Sequence, residues 1–199
     1  MKILQIDSSI LGEQSVSRQL TSAIVKRFSD LSADAEIISR DLVADSLDHL
    51  SAAEFLATRG TEPQTDADKQ AVARNVQLVD DFLSSDVVVI GAPMYNFTIP
   101  SQLRSYLDRL AVAGRTFRYT ENGPEGLAGG KRVIIASSRS GVYSEGSPAS
   151  AMDHQETYIR VFLGFIGITD VTFIRAEGLA MAREESITAA LEDIKKLSL

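Results

Sequence analysis

The residues best able to bind an anion lie near the start of the chain, in the segment 8–17. This segment offers hydroxyl groups at Ser9, Ser15 and Ser17, and an amphipathic helical pattern follows it directly. Hydroxyl groups and main-chain amides at the start of a helix can bind a phosphate without the help of a lysine. Serine is also a common helix-capping residue, so the pattern leaves both roles open for Ser15 and Ser17.

A second segment, 93–97, carries side chains that can lie against a flat aromatic ring. Met94, Tyr95 and Phe97 are flat or soft, and Asn96 and nearby main-chain amides can hydrogen-bond the edge of such a ring. A flavin needs that combination. A lone aromatic or methionine side chain is more often part of the core, which is the competing interpretation for Met94 and Phe97. Their position after a strand, in a proline-flanked loop, favours the ligand.

The sequence lacks the motifs of several other kinds of site. It has no G-x-G-x-x-G after the first strand and no G-x-x-x-x-G-K-[ST], which argues against a tightly bound dinucleotide or ATP. The absence of cysteine excludes thiol catalysis, and with His49 and His154 as the only histidines we expect no metal site. A serine hydrolase is also disfavoured, because no G-x-S-x-G is present.

The ring-facing segment lies between a predicted strand and a predicted helix. Residues 87–90 form an unbroken β-branched run, which is typical of a central parallel strand buried on both faces. We expect this strand to stop at Gly91, because Ala92 and Pro93 do not extend a strand. Pro100 then opens a helical pattern with leucines along one side. These leucines are Leu103, Leu107 and Leu110.

The rest of the chain alternates strands with helices. Further strands are predicted at 2–6, 36–40, 133–136 and 171–174, and a hairpin or lid at 116–130. Helices are predicted at 20–31, 66–84, 155–166 and 187–197, with a short helical piece inside the irregular segment 45–64. This alternation predicts one domain over residues 1–199, an α/β fold with a doubly wound parallel sheet.

The strand order 2-1-3-4-5 would bring three loops to one edge of this sheet. The loops are 8–17, 93–97 and 138–143, and each follows a strand. Ligands of open α/β sheets bind at the carboxyl edge of the strands, so we expect the three loops to line one crevice.

The composition predicts one globular domain with a full core. The chain has 199 residues, of which 44% are hydrophobic, and a formal net charge of −7. This acidic balance argues against a nucleic-acid partner and against an anionic membrane. The start, MKILQIDSS, has no apolar leader and no window reaches the length of a membrane span, so we expect a cytoplasmic protein.

Five motifs in the same order make the chain similar to a known family. They are DSS with SxSR at 7–9 and 15–18, PMYNFxIPxxL at 93–103, TFRYTENGPEGL at 116–127, SRxG at 138–141 and FLGFIGI at 162–168. The chain resembles the FMN-dependent NADH azoreductases of the flavodoxin-like quinone reductase superfamily. This resemblance implies a flavodoxin-like fold with five parallel strands and helices on both faces. It also implies a homodimer with two FMN sites at its interface, which reduces quinones and azo compounds with NADH by ping-pong transfer.

The resemblance assigns FMN to three groups of residues and no catalytic residue, because the flavin carries the chemistry. Ser9, Ser15, Val16 and Ser17 are expected to hold the phosphate. Pro93, Met94, Tyr95, Asn96 and Phe97 are expected to hold the isoalloxazine ring, with a main-chain amide near N5. Ser138, Arg139, Ser140 and Gly141 are expected to border the ring and the ribityl chain.

The chain departs from the family pattern at two positions. Ser140 stands where many members have glycine, which places a β-carbon at a position that we expect to favour positive φ. Tyr143 stands where a histidine is often found, so no role of that histidine is carried over. Candidates for the aromatic walls of the substrate pocket are Phe117, Tyr119, Tyr143 and Phe162. For Phe162, core packing is the better interpretation.

A non-catalytic flavodoxin-like electron carrier is the alternative function. Such a carrier also binds FMN, and the acidic charge suits either interpretation. The segments 116–126 and 45–64 favour the enzyme, because they add residues that can wall a pocket and form a dimer.

Overall fold

The computed structural model describes residues 1–199 and contains seven strands and six α-helices. The strands are β1 Lys2–Asp7, β2 Glu36–Asp41, β3 Val87–Pro93, β4 Phe117–Thr120, β5 Gly123–Gly126, β6 Arg132–Ser138 and β7 Asp170–Ala176. The helices are α1 Val16–Leu31, α2 Ala52–Ala57, α3 Asp66–Ser84, α4 Ser101–Leu110, α5 Gln155–Phe165 and α6 Arg183–Lys195. Short 3₁₀ turns lie at Gly12–Gln14 and Ser150–Met152. None of the helices is both long enough and apolar enough to cross a membrane.

Five strands form one sheet in the order β2-β1-β3-β6-β7, and every pairing is parallel. β4 and β5 pair antiparallel as a separate hairpin, which confirms the hairpin predicted for 116–130. When the hairpin strands are left out of the count, the observed order is consistent with the predicted order 2-1-3-4-5. The switch point of the sheet lies between β1 and β3, where the order reverses.

Helices cover both faces of the sheet, because neighbouring residues of each central strand point to opposite sides. On one side, Ile3, Val89 and Ile134 pack against α1 and α6. On the other side, Leu4, Ile90 and Ile135 pack against α3, α4 and α5. The unbroken apolar run of β3 is therefore explained: all seven of its residues are buried.

The predicted end of β3 at Gly91 is wrong, since the strand continues through Ala92 to Pro93. β1 pairs with β3 only as far as Gly91, whereas β6 pairs with it up to Pro93. The missing amide hydrogen of Pro93 leaves no gap, because the neighbour on the β1 side has already ended. Within the sheet, β6 is therefore the one strand that pairs with β3 up to its end.

Helix α3 has the predicted bounds, and Thr65 caps it by accepting a hydrogen bond from the Asp68 amide at 3.1 Å. The apolar residues of α3 do not all lie in the core. Val79 is in the core, whereas Val76 is 47% exposed. Val76 faces a surface hollow between α2, α3 and the end of α4.

This hollow has a volume of about 250 Å³, and a buried ion pair lies beneath it. Arg109 of α4 donates to Glu54 of α2 at 2.7 Å and to Asn75 of α3 at 2.8 Å. Glu54 also closes a capping box with Ser51 at the start of α2. The irregular segment 45–64 is thereby attached to two long helices.

Candidate functional site

The three loops predicted to converge do line one crevice, with a volume of about 200 Å³. Nine of the thirteen predicted cofactor residues line it. They are Ser9, Ser15, Val16, Pro93, Met94, Tyr95, Ser138, Arg139 and Ser140. Of the other four, Ser17, Asn96 and Gly141 directly follow a lining residue, and Phe97 follows Asn96.

The start of α1 forms the polar end of the crevice. Ser15 is the N-cap residue, and its hydroxyl accepts a hydrogen bond from the Arg18 amide at 3.2 Å. The Ser15 hydroxyl also lies 3.0 Å from that of Ser17, which is fully buried. The amides of Val16 and Ser17 are in the first turn, where no carbonyl of the helix reaches them. Capping and anion binding are thus compatible at Ser15, and the positive end of the helix dipole favours an anion there.

Arg18 holds the loop around this helix start in place. Its guanidinium forms two hydrogen bonds with Asp41, at 2.6 and 2.7 Å, and a third with the Ser9 carbonyl at 3.1 Å. These hydrogen bonds from Arg18 lower the pKa of the Asp41 carboxyl to about 2. Because the charge of Arg18 is already paired, the anion site depends on main-chain amides and hydroxyls.

The ring-facing loop is a tight turn with an unusual backbone. Tyr95 and Thr98 exchange main-chain hydrogen bonds at 3.0 and 3.2 Å, and the two residues between them have positive φ. The φ angles are +48° for Asn96 and +72° for Phe97, the pattern of a type I′ turn. A bulky residue in this region stores roughly 1–3 kcal/mol of strain. Phe97 nevertheless stays in place, with its carbonyl accepting a hydrogen bond from the His154 amide at 3.0 Å.

Tyr95 connects the ring-facing turn to the anion-binding loop. Its hydroxyl lies 3.3 Å from the Ser9 hydroxyl and accepts a hydrogen bond from the Ile10 amide at 3.3 Å. On the other side, the Met94 amide donates to the Ser138 carbonyl at 2.9 Å. The turn is thus attached to both of the other crevice loops.

The third loop differs from expectation at two residues. The expectation of positive φ at Ser140 is wrong, because only Asn96 and Phe97 have positive φ among the non-glycine residues. The serine is therefore accommodated without left-handed strain. Arg139 was expected to border the ligand, but its guanidinium is turned inward and fully buried, so only its main chain faces the crevice.

The four aromatic candidates for a substrate pocket lie in different surroundings. Tyr143 packs edge-on against Phe97, with ring centroids 6.2 Å apart, and so lies beside the crevice. Phe117 is buried against Phe165, which favours a packing role. Phe162 is partly buried and stacks on Tyr158, in agreement with core packing. Tyr119, on the hairpin, is 76% exposed.

Five crevice residues were missed by the sequence reasoning: Leu11, Gln14, Leu179, Ala180 and Arg183. The last three belong to the loop after β7 and the start of α6. The sequence contained the necessary signal, because every strand of a parallel sheet delivers its loop to the same edge. Unlike Arg139, Arg183 has no ion-pair partner. It is the one lining guanidinium left free to contact a ligand.

The crevice therefore offers two kinds of binding surface close together. Amides and hydroxyls at a helix start suit a phosphate, and the soft side chain of Met94 beside a rigid, strained turn suits a flat ring. No acid, base and nucleophile are arranged together in it, so the site is built for binding and orienting a ligand.

Known protein families and proteins are similar to this chain over nearly its whole length. A family model described as "Flavodoxin-like fold" matches residues 1–197. A protein of Sinorhizobium fredii named "FMN-dependent NADH:quinone oxidoreductase" is 54% identical over all of this chain and 96% of its own length. A protein of Azospirillum brasilense with the same name is 53% identical, over all of this chain and 98% of its own.

Two solved structures superpose on nearly the whole chain. An azoreductase from Bacillus anthracis strain Sterne has a TM-score of 0.88 and 34% identity, covering 98% of this chain and 97% of its own. An FMN-dependent NADH-azoreductase from Bacillus anthracis strain Ames Ancestor, solved in complex with FMN, has a TM-score of 0.88 and 26% identity. It covers 98% of this chain and 96% of its own.

Proposed function

Because the chain belongs to the flavodoxin-like family of FMN-dependent NADH:quinone oxidoreductases and azoreductases, we propose that it reduces quinones and aromatic azo compounds with NADH. The observation that carries this function is the crevice, in which an open helix start and a strained aromatic turn face one cavity. The chain is an oxidoreductase that uses FMN as its bound cofactor and NADH as its electron donor.

The residues of the crevice fit FMN. Ser9, Ser15 and the amides of Val16 and Ser17 would hold the phosphate, since that end of the crevice offers donors and a favourable helix dipole. Met94, Tyr95 and the turn at Asn96 and Phe97 would hold the ring. When bound, FMN supplies the redox chemistry, in which a hydride is accepted from NADH and two electrons are passed on to the acceptor.

The protein's part in this reaction is to orient the two ring systems and to exclude water. The turn is rigid because the Tyr95–Thr98 pair and the His154 amide fix it from both sides. A rigid wall presents main-chain donors at constant positions, which favours a charge that develops on the ring edge during transfer. The absence of a catalytic triad is consistent with this division of work.

We also propose that two copies form a homodimer with two FMN sites at its interface. The cavity of about 200 Å³ is below the size of pockets that enclose drug-sized ligands, which are roughly 300–1,000 Å³. A flavin would therefore extend beyond the surface of one chain. Phe97 is 40% exposed and Tyr119 is 76% exposed, so both offer aromatic surface for a second copy to cover. Because the electron donor is NADH, we place the protein in the cytoplasm.

An anaerobic titration of the flavin-loaded protein with NADH tests the function. The enzyme is expected to lose its visible flavin absorbance in one two-electron step and to recover it when a quinone is added. The alternative of an electron carrier for protein partners predicts no reaction with NADH and a stable one-electron reduced state under a chemical reductant. That second outcome would refute the proposed function.

A further inference from the structure

Arg139 has no exposed side-chain surface, although it belongs to a loop that lines the crevice. Its Nε atom donates to Ser137 Oγ at 2.9 Å and to Gln155 Oε1 at 3.0 Å. Its Nη1 and Nη2 atoms contact three carboxylates. These are Glu177 at 2.8 Å, Asp153 at 3.0 Å, and Glu156. Every nitrogen of the guanidinium is used inside the protein, so Arg139 binds no ligand through its charge.

The partners of Arg139 come from different elements of the fold. Ser137 is in β6, Glu177 directly follows β7, Asp153 lies two residues before α5, and Glu156 is in the first turn of α5. Arg175 of β7 adds a second cation to the cluster, with two hydrogen bonds to Glu156 at 2.6 and 2.8 Å. One guanidinium thus joins the carboxyl ends of two strands to the first turn of a helix.

The cluster reaches the ring-facing turn through Gln155, which is fully buried. Its side-chain amide accepts from Arg139 and donates from Nε2 to the Ala92 carbonyl at 2.8 Å. Ala92 is the second residue before Met94 and lies in the last part of β3. His154, the residue before Gln155, donates its main-chain amide hydrogen to the Phe97 carbonyl. The residues at the start of α5 therefore contact the end of β3 before the turn and the strained residue Phe97 within it.

The cluster reaches the third crevice loop through Glu177. The Tyr143 amide donates to the same carboxylate oxygen that contacts Arg139, at 3.1 Å. Burial raises the pKa of Glu177, but hydrogen bonds from Ser144 and the Tyr143 amide and the charge of Arg139 outweigh burial, and the net pKa is lowered. The carboxylate is therefore ionised, and it holds the loop at Tyr143.

A buried ion cluster is a poor way to gain stability, because removing the charges from water costs about as much as their attraction returns. What it does provide is directional hydrogen bonding with a planar five-donor group. We propose that Arg139 is a positioning residue that fixes the segments 93–97 and 138–143 relative to each other, so that the crevice is preformed for the isoalloxazine ring. This inference rests on the proposed function, which supplies the ring.

The test compares Arg139→Lys with Arg109→Lys in the full-length protein. Arg109 is a matched control, since its side chain is 3% exposed and also donates to a carboxylate, an amide and a carbonyl, but beneath the hollow. Both substitutions keep the charge and lose the planar fork. Three quantities are measured: the melting temperature without flavin, the Kd for FMN from quenching of flavin fluorescence, and the visible absorption spectrum of bound FMN.

We expect both variants to melt at lower temperature, and only Arg139→Lys to bind FMN more weakly, by about tenfold or more, which is about 1.4 kcal/mol. Its bound flavin should also show shifted visible bands, because the ring environment has changed. Unchanged FMN affinity and spectrum in Arg139→Lys would overturn the proposal, as would equal weakening in Arg109→Lys. Failure of the unaltered protein to bind FMN would refute the proposed function instead.

A second variant keeps the test decisive if Arg139→Lys does not fold. Gln155→Met has nearly the same shape and leaves every ion pair of Arg139 in place. It removes the side-chain hydrogen bonds to Arg139, to Ser137 and to the Ala92 carbonyl. We expect FMN binding weaker by about threefold to tenfold, in line with the loss of the one buried hydrogen bond among these that reaches β3. Wild-type FMN affinity in Gln155→Met would show that the connection from Arg139 to the turn has no influence on the site.

Discussion

The hollow and the crevice are similar in size, at about 250 and 200 Å³, yet they differ in how their polar groups are used. Beneath the hollow, Arg109, Glu54 and Asn75 bond to one another, and the walls include apolar side chains such as Phe55 and Val76. At the crevice, a helix start offers main-chain amides that have no partner within the helix, and two successive residues of the adjoining turn have positive φ. Volume therefore does not distinguish the candidate site from the hollow. The features that distinguish it are main-chain donors without a partner and residues with strained backbone angles.

The two regions also show opposite uses of a buried arginine. Arg109 joins α2, α3 and α4 and has no connection to a crevice loop. Arg139 joins the elements from which two crevice loops depart. If this comparison is correct, changes at the hollow alter stability alone, and changes at the crevice alter flavin binding.

The largest expected effect is at the hollow. Arg109→Ala leaves the buried Glu54 carboxylate without its cation and should lower the free energy of unfolding by about 3–5 kcal/mol. The Kd for FMN of the folded fraction should not change. Urea unfolding without flavin and a flavin titration at low temperature measure the two quantities. Arg104→Ala, on the exposed side of the same helix, is the control and should cost about 0.5 kcal/mol or less.

The next effect is at the polar end of the crevice. Ser15→Ala removes a hydroxyl that caps α1 and lines the end of the crevice where we propose that the phosphate binds. We expect about 1.5–3 kcal/mol weaker FMN binding and about 1 kcal/mol less stability. Thr65→Ala removes a similar cap from α3 and should lose the stability only. If both variants retain FMN equally after dialysis, the phosphate assignment is wrong.

Two substitutions separate the effect of backbone strain at Phe97 from the effect of losing its aromatic ring. Phe97→Ala and Phe97→Gly remove the same aromatic group, but only glycine adopts φ of +72° at no cost. We expect the glycine variant to be more stable than the alanine variant by about 1–2 kcal/mol, the reverse of the usual order in regular structure. Thermal unfolding of the two proteins without flavin gives this difference. Equal stability would mean that the turn stores no strain.

Acid should affect the anion-binding loop through Asp41. Because the pKa of Asp41 is lowered to about 2 in the folded protein from an ordinary 3.8, its ion pair with Arg18 stabilises the fold above about pH 4. This contribution is lost as the pH falls from about 4 through 2. Asp41→Asn should therefore flatten the acid limb of a stability profile over that range. The effect is expected to be about 1 kcal/mol or less, since the carboxylate is partly exposed. A profile identical to wild type contradicts it.

The smallest effect on stability is expected at Tyr119. As an exposed hairpin residue, it should change the free energy of unfolding by no more than about 0.5 kcal/mol when replaced by alanine. In the proposed homodimer it should instead alter the preference among quinone and azo acceptors, with little change in FMN affinity. Steady-state kinetics with two acceptors, beside a melting curve, tests this placement. A shift in melting with unchanged kinetics would remove Tyr119 from the pocket.

The sequence was informative where a signal is local. The apolar run of β3 and the capped, periodic pattern of α3 identify buried and amphipathic elements without knowledge of the rest of the chain. The convergence of the loops follows from strand direction alone. The inward turn of Arg139 could not be predicted, because its three carboxylate partners lie 14 to 38 residues further along the chain. The positive φ of Phe97 could not be predicted either, because phenylalanine normally adopts a negative φ.

The parallel order of the sheet has a consequence for how the site comes into existence during folding. The Ser8 hydroxyl bonds to the Gly91 carbonyl 83 residues away, and the crevice is lined from Ser9 to Arg183. No hairpin or single helix can form it alone, because each further wall is added only when another crossover has closed. Flavin uptake during refolding should therefore lag behind the recovery of helical signal. It would report completion of the whole sheet.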